Sequence, residues 1–173
     1  MPQQESTSTE TLLALTQQDT LTLVCSHEHL SLNGYHLLSL RFLPYSLALS
    51  RLFEVLANES EQRIQALMQL AEYLQAMGGL PAAVPAGGPT SYREERHFFV
   101  VDDSMAVSVL ADAIICERQS ALFYLQLCQS NRLPELHALL ASFIEQKRTE
   151  CRVLQDSQGH LLFGSSGPGQ RVA

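Results

Sequence analysis

Four long stretches of helical periodicity, arranged as two pairs, constrain the fold of this chain more than any other feature. Only a few residues around Pro44 separate the first two stretches, and the last two also follow each other closely. Because short connections make consecutive helices antiparallel neighbours, the sequence predicts two helical hairpins. Apolar residues recur at i, i+3, i+4 and i+7 over residues 10–42, 46–77, 103–130 and 133–154.

The connection between the two hairpins is long and has no helical pattern. Residues 78–102 are rich in glycine and proline, and Asp102 and Asp103 then supply an N-cap and favourable charge for the third helix. The sequence therefore predicts a single all-α domain over residues 1–155, an up-down four-helix bundle with a long crossover between helices 2 and 3. Residues 156–173, which include GSSGPGQ, are expected to form a flexible tail.

Composition excludes several classes of function. The net charge of -7 and the lack of a basic cluster argue against binding to nucleic acid. No apolar run approaches the length of a membrane span, and the first residues do not resemble an export signal. The four cysteines form no CxxC pair, so we expect reduced thiols and a cytoplasmic protein without membrane contact.

The segment from residue 37 to residue 53 is more apolar than one end of a bundle requires. Large exposed apolar surfaces commonly form interfaces, and symmetric dimers are the commonest assembly. We therefore expect a homodimer that uses this segment. The sequence identifies no other protein partner.

Charged residues interrupt the apolar stripe of every predicted helix. Buried Glu and Arg need partners, so a set spread over four helices requires an explanation. A helix rises about 1.5 Å per residue, so Glu28, 16 residues before Pro44, should face residues 59–63. Likewise Glu117 and Glu145 each lie 14 residues from position 131. The predicted buried polar layer comprises Glu28, Glu59, Arg63, Glu117, Glu145 and Arg148.

This pattern resembles the metal-binding plan of the ferritin-like superfamily, to which rubrerythrin and bacterioferritin belong. That plan places one inward Glu on the first and third helices and Glu-x-x-His on the second and fourth. The resemblance covers roughly residues 20–154 and implies a ferritin-like four-helix bundle with a di-iron centre. It is carried by LFEVLANESEQRIQALMQLAEYLQAMGG, ADAIICERQSALFYLQL and ASFIEQKRTECRVL, which resemble the second, third and fourth helices.

Both histidines of that plan are missing, and an arginine stands at each position. In helix 2 the pair is Ser60 with Arg63, unless Glu59 turns inward, and in helix 4 it is Glu145 with Arg148. Guanidinium cannot ligate a metal, but it can neutralise carboxylates as an ion pair. We therefore expect Glu–Arg pairs in place of the di-iron centre, no cofactor, and a non-catalytic binding or regulatory function.

Two alternatives stay open at this point. A carboxylate-rich site of Glu28, Glu59, Glu117 and Glu145 could hold iron or manganese in an oxidoreductase or iron-handling protein. The same residues could instead be partly exposed and merely solvated. Tyr35 and Tyr124 lie on core stripes near the layer, where core packing is the expected role. The sequence identifies no catalytic residue.

Overall fold

The structure, a computed structural model, describes residues 17–76, 98–130 and 133–164. These residues form four helices and no strand, so the predicted all-α class is confirmed for the described part of the chain. None of these helices combines the length and the apolar character needed to cross a bilayer. The helices are α1 (Gln17–Phe42), α2 (Leu47–Ala76), α3 (Asp103–Ser130) and α4 (Pro134–Gly164).

Side chains at the helix starts explain where the helices begin. The Ser46 hydroxyl accepts a hydrogen bond from the Leu49 amide at 3.3 Å, which caps α2. The Asp102 carboxylate accepts one from the Met105 amide at 2.8 Å and caps α3. Pro134 opens α4, where its missing N–H costs nothing.

The end of α4 differs from the prediction. The helix continues to Gly164, ten residues past the predicted end at residue 154, so residues 156–164 are helical. Leu161, two turns beyond the buried Leu154, packs against the core and gives this extension an apolar contact. The predicted start of the first helix, most of the predicted crossover and residues 165–173 lie outside the described residues.

The helices pack as two hairpins. Helix α1 lies along α2 and α3 lies along α4 in extensive contact, whereas α1 meets α3 and α2 meets α4 over much narrower contacts. Clefts therefore remain where the hairpins face each other.

The apolar core consists of two clusters at opposite ends of the bundle. The first joins the start of α1, the end of α2, the end of α3 and the start of α4. The second joins the opposite ends of the same helices. Neighbouring helices therefore run antiparallel throughout. Representative members are Val24, Leu67, Leu127 and Leu140 in the first cluster and Phe42, Phe53, Leu110 and Leu154 in the second.

The residues just before α3 close one end of the bundle. The buried Val100 donates its amide to the Arg41 carbonyl at 2.9 Å, and Arg41 Nε donates to the Phe98 carbonyl at 2.9 Å. Tyr45, in the α1–α2 turn, donates its hydroxyl to Asp103 Oδ1 at 2.5 Å. These bonds tie the turn of the first hairpin to the start of the second.

The apolar segment of residues 37–53 divides between core and surface at this same end. Phe42 and Phe53 are buried in the second cluster. Leu40, Leu43 and Leu47 are about half exposed. The apolar excess noted in the sequence therefore lies partly on the surface.

Candidate functional site

Five charged side chains from all four helices lie between the two apolar clusters. None of the five residues is more than 6% exposed as a whole, which is rare for ionisable residues. Their position follows from the helix stripes, because in each helix they stand between residues of one cluster and residues of the other. We call this set the charged layer: Glu28, Arg63, Glu117, Lys147 and Glu150.

Arg63 connects three helices through its guanidinium. Its Nε donates to Glu28 Oε2 at 2.9 Å, and its Nη1 donates to Glu150 Oε1 at 2.6 Å. Its Nη2 donates to the Ser60 hydroxyl at 2.9 Å, and Gln146 Oε1 lies 3.3 Å from Nη1. Burial alone would lower the pKa of Arg63, but the two carboxylates outweigh it and raise that pKa. Arg63 is therefore a fixed cation inside the bundle.

Lys147, the only lysine of the chain, is the second buried cation. Its Nζ lies 3.0 Å from Glu150 Oε2 and 3.3 Å from Glu117 Oε2. It also donates to the Tyr35 hydroxyl at 3.1 Å. Glu150 is thus contacted by both cations, which makes the charged layer one connected network.

Glu117 is the least compensated carboxyl group of the layer. Its Oε1 accepts a hydrogen bond from the Tyr35 hydroxyl. Its Oε2 is buried and has no hydrogen-bond partner among the described residues, although Lys147 Nζ is close enough for an ion pair.

Burial is the main cause that raises the pKa of Glu117 to about 8. The positive charge of Lys147 opposes this shift, and the negative charge of Glu150 adds to it. Near neutral pH the Glu117 carboxyl is therefore largely protonated. The layer then holds two carboxylates against two cations.

Two tyrosines complete the network. Tyr35 and Tyr124 are both buried, in line with the expected core packing, and both also hydrogen-bond carboxyl groups. Tyr124 donates to Glu28 Oε1, and burial together with the Glu28 charge raises the pKa of Tyr124. Tyr35 reaches Glu117, and its hydroxyl lies 3.4 Å from Glu150 Oε2.

Three of the six residues predicted for the buried layer are found in it: Glu28, Arg63 and Glu117. In α2 the sequence left two positions open, and the structure turns Ser60 inward, where it accepts from Arg63. Glu59 is half-buried and lines the cleft between α2 and α4 instead.

The predicted placement of Glu145 and Arg148 in the buried layer is wrong. They pair with each other at 2.5 Å on the surface, and their side chains are 69% and 52% exposed. Lys147 and Glu150 take the inward positions, because α4 presents a stripe with alternating spacings of four and three residues. That spacing is visible in the sequence and could have identified them: Leu136, Leu140, Phe143, Lys147, Glu150 and Leu154.

The donors of the charged layer do not fit a di-iron centre. Guanidinium and ammonium groups contact the carboxylate oxygens that a metal would need, and none of the layer residues is a histidine. Within the described ranges, no group of three or more His, Cys, Asp or Glu side chains is placed to hold a metal ion. The carboxylate set Glu28, Glu59, Glu117 and Glu145 is therefore not brought together.

Three clefts in the described part of the chain border the charged layer, and the smallest, of about 260 Å³ between α3 and α4, includes Glu117 and Lys147. The α1/α3 cleft has a volume of about 490 Å³, and Tyr35 and Glu117 are among its lining residues. The α2/α4 cleft, of about 510 Å³, includes Glu150. Opposite faces of the same ionic network thus border the two larger clefts.

A polar pair missed by the sequence analysis also lines the α1/α3 cleft. His27 Nε2 lies 3.0 Å from the Ser120 hydroxyl, and the His27 ring packs 4.5 Å from the Phe123 ring, centroid to centroid. Burial is the main cause that lowers the pKa of His27, so the imidazole is largely neutral near pH 7. It can therefore exchange a hydrogen bond without adding charge to the cleft.

Replacement of Arg63 with Met should destabilise the protein by about 3–5 kcal/mol, because Glu28 and Glu150 would lose their shared buried cation. Arg148→Met is the matched control, since it removes an exposed ion pair worth about 0–1 kcal/mol. Urea unfolding followed by circular dichroism measures both. Equal losses in the two variants would contradict a compensating role for Arg63.

Glu117 should make the free energy of unfolding depend on pH. Between its ordinary pKa of 4.5 and its raised pKa of about 8, the folded chain keeps a proton that the unfolded chain releases. This contribution to stability therefore falls as pH rises through that window and is constant above it.

Glu117→Gln should remove this part of the pH dependence, so the variant gains stability relative to wild type from about pH 5 to about pH 8. Glu145→Gln, at an exposed position, should leave the slope unchanged. Denaturant titrations at several pH values test this. A wild-type slope that persists in Glu117→Gln would show that Glu117 titrates normally.

No protein-family model matches the chain, and no curated protein or solved structure shows a significant match to it. The geometry of the charged layer and its clefts is therefore the basis for assigning a function.

Proposed function

We propose that this chain is a ferritin-like helical bundle that acts as a non-catalytic binding protein, with Arg63 and Lys147 in the space of a di-iron centre. One observation carries the proposal. Every carboxyl group of the charged layer is contacted by a side-chain cation from the same layer. The negative charge that would attract a metal ion is already compensated.

The positions of the buried pairs support the ferritin-like part of the proposal. In the family plan, the second and fourth helices each carry an inward pair spaced i, i+3. Here α2 carries Ser60 with Arg63 and α4 carries Lys147 with Glu150, at that same spacing. The antiparallel packing of all neighbouring helices and the long connection between the hairpins are also in keeping with that topology.

The non-catalytic part follows from the chemistry of the two cations. Guanidinium offers no lone pair to a metal or a substrate, and the Lys147 ammonium is held by two carboxyl groups and a tyrosine. The layer therefore supplies neither an open coordination position nor a free nucleophile. The role of the charged layer is to hold the four helices together, and a binding partner would contact the protein at the clefts that border the layer.

We also infer a cytoplasmic location. Cys25, Cys116, Cys128 and Cys151 are all free thiols, and three of them are buried. Thiols persist in this form in reducing compartments.

Metal analysis tests the proposal directly. Protein purified without chelator or metal-affinity resin, and then loaded anaerobically with ferrous or manganous ion, should hold less than stoichiometric metal by mass spectrometry. Glu117→Gln serves as the site control. Metal retained equally by this variant is bound outside the charged layer and leaves the proposal standing.

About two irons or manganeses per chain in wild type, lost in Glu117→Gln, would contradict the proposal. The alternative of a metal-dependent oxidoreductase or iron-handling protein would then replace it. In that case the carboxylates must exchange Arg63 and Lys147 for metal ions.

We further propose that the chain forms a homodimer through the exposed leucines near the α1–α2 turn. Leu40, Leu43 and Leu47 place apolar surface at one end of the bundle, and Phe99 and Val101 are exposed beside α3. Apolar surface of this kind is typical of dimer interfaces.

The double variant Leu43→Glu/Leu47→Glu should shift the protein from dimer to monomer in sedimentation velocity, because two charges would have to be buried at the interface. Leu122→Glu, at an equally exposed position on α3, is the control and should remain dimeric. Helix content should stay unchanged in both variants by circular dichroism. A wild-type monomer at micromolar concentration would contradict the dimer.

A further inference from the structure

We infer that the α3/α4 cleft binds the phosphate group of a small molecule through the guanidinium groups of Arg118, Arg148 and Arg152. This inference deepens the proposed binding function and rests on it for the statement that a binding partner contacts the protein at the clefts. It adds the position of the site and the chemical class of the ligand.

Three exposed arginines line this cleft. Arg118 comes from α3, and Arg148 and Arg152 come from α4. Buried residues of the charged layer, Glu117 and Lys147, line the same cleft. Because the arginines come from two helices, no basic run in the sequence reveals the cluster, and only the pairing of α3 with α4 brings it together.

The geometry of the two helices directs Arg118 and Arg152 toward each other. Glu117 contacts Lys147 across the two helices at 3.3 Å, which places Arg118 close to the level of Arg148. At 1.5 Å rise per residue, Arg152 stands about 6–7 Å further along α4. Side chains on a helix lean toward its N-terminus, and α3 and α4 run antiparallel. Arg118 therefore leans toward the level of Arg152, and Arg152 leans back toward Arg118.

The positive charge of these arginines is poorly compensated. Arg148 pairs with Glu145 at 2.5 Å, but none of the ion pairs among the described residues includes Arg118 or Arg152. Arg148 and Arg152 are four residues apart on one helix, and like charges at that spacing destabilise a helix. Asp156, four residues after Arg152, does not line the cleft. An anion in the cleft would relieve this repulsion.

The floor of the cleft opposes an anion only weakly. Glu117 is the one acidic residue among those that line the cleft in the described part of the chain, and its carboxyl group is largely protonated near neutral pH. The lining is therefore positive, although the whole chain carries a net charge of -7. Such a local reversal of sign favours an anionic ligand over a cationic one.

The chemistry and size of the cleft favour a phosphate group. A planar guanidinium matches phosphate oxygens with two parallel hydrogen bonds. A phosphate ester carries about two negative charges near neutral pH and several acceptor oxygens, so one group can engage more than one arginine. The volume of about 260 Å³ is below the range of roughly 300–1,000 Å³ typical of drug-sized ligands. The organic part of the ligand is therefore small.

Four probes test this chemistry by titration calorimetry at low salt: phenyl phosphate, phenyl sulfate, benzyl alcohol and inorganic phosphate. Phenyl phosphate should bind more tightly than phenyl sulfate, which has a similar shape and one charge, and benzyl alcohol should not bind. Inorganic phosphate should compete with phenyl phosphate. Equal affinities of these two identify the free ion as the ligand, and tighter binding of phenyl phosphate identifies a phosphate ester. Both results support a phosphate site.

Arg118→Met and Arg152→Met should each weaken binding of phenyl phosphate about tenfold, the factor expected from losing one hydrogen-bonded charge pair. Arg51→Met is the matched control, because Arg51 is an exposed arginine of α2 that does not line the cleft and its loss changes the net charge equally. Thermal melts report folding. Arg152→Met should be at least as stable as wild type without anion, since the repulsion from Arg148 is removed.

Several outcomes would overturn the inference: no binding of phenyl phosphate below millimolar concentration, equal losses in Arg51→Met and Arg152→Met, or tighter binding of phenyl sulfate. A single-stranded oligonucleotide that binds more tightly than phenyl phosphate would also overturn it, in favour of a polymeric ligand.

Iron loading of the same preparations in phosphate-free buffer keeps the two proposals separate. Stoichiometric iron that is lost in Glu117→Gln, together with intact binding of phenyl phosphate, overturns the proposed function alone. Absence of both iron uptake and phenyl phosphate binding overturns this inference alone.

Discussion

The contact between Arg63 and its two carboxylate partners is the interaction on which the rest of the bundle depends. Removing a guanidinium and carboxylates from water is expensive, and the attraction among them repays this cost only with close, well-directed hydrogen bonds. Arg63 achieves this by using Nε, Nη1 and Nη2 toward Glu28, Glu150 and Ser60. A slide of one helix by a single turn would move these partners by about 5.4 Å and break the set. The charged layer therefore fixes the register of helices whose apolar contacts alone are less selective.

Charge balance within the layer depends on one proton. Three carboxyl groups face two cations, so full ionisation would leave one buried negative charge uncompensated. The raised pKa of Glu117, caused chiefly by its burial, keeps this proton in place near neutral pH. Tyr35 and Lys147 then position a neutral acid, and Arg63 remains paired with Glu28 and Glu150.

The sequence was sufficient to predict the parts of this arrangement that depend on local pattern. Glu28, Arg63 and Glu117 interrupt apolar stripes, and the distance of Glu28 from Pro44 correctly predicts its place opposite Arg63. In α4 the same reasoning predicts Glu145 and Arg148, which the structure places on the surface. Two residues correspond to a rotation of about 200° around the helix axis, so an error of two positions selects side chains on the surface in place of those in the core. The stripe that carries Lys147 and Glu150 follows a 3.5-residue period. In addition, a lysine side chain is ordinarily expected to keep its ammonium group exposed to solvent.

Other features depend on tertiary distances that no local pattern encodes. The end of α4 is predicted too early because the polar residues 155–160 interrupt the apolar pattern before Leu161 continues it, and the described helix ends at Gly164, where GSSGPGQ begins. The α1/α3 cleft could not be predicted, because its volume depends on how far apart the two hairpins pack. Each carboxyl group of the layer also accepts a hydrogen bond from the opposite hairpin: Glu28 from Tyr124, Glu117 from Tyr35, and Glu150 from Arg63. The two hairpins thus relate to each other like complementary subunits of a heterodimer joined in one chain. Each half contains a cation for its own acids, but the hydrogen bonds of those acids are complete only when the other half is present. The middle of the protein should therefore assemble and come apart as one cooperative unit.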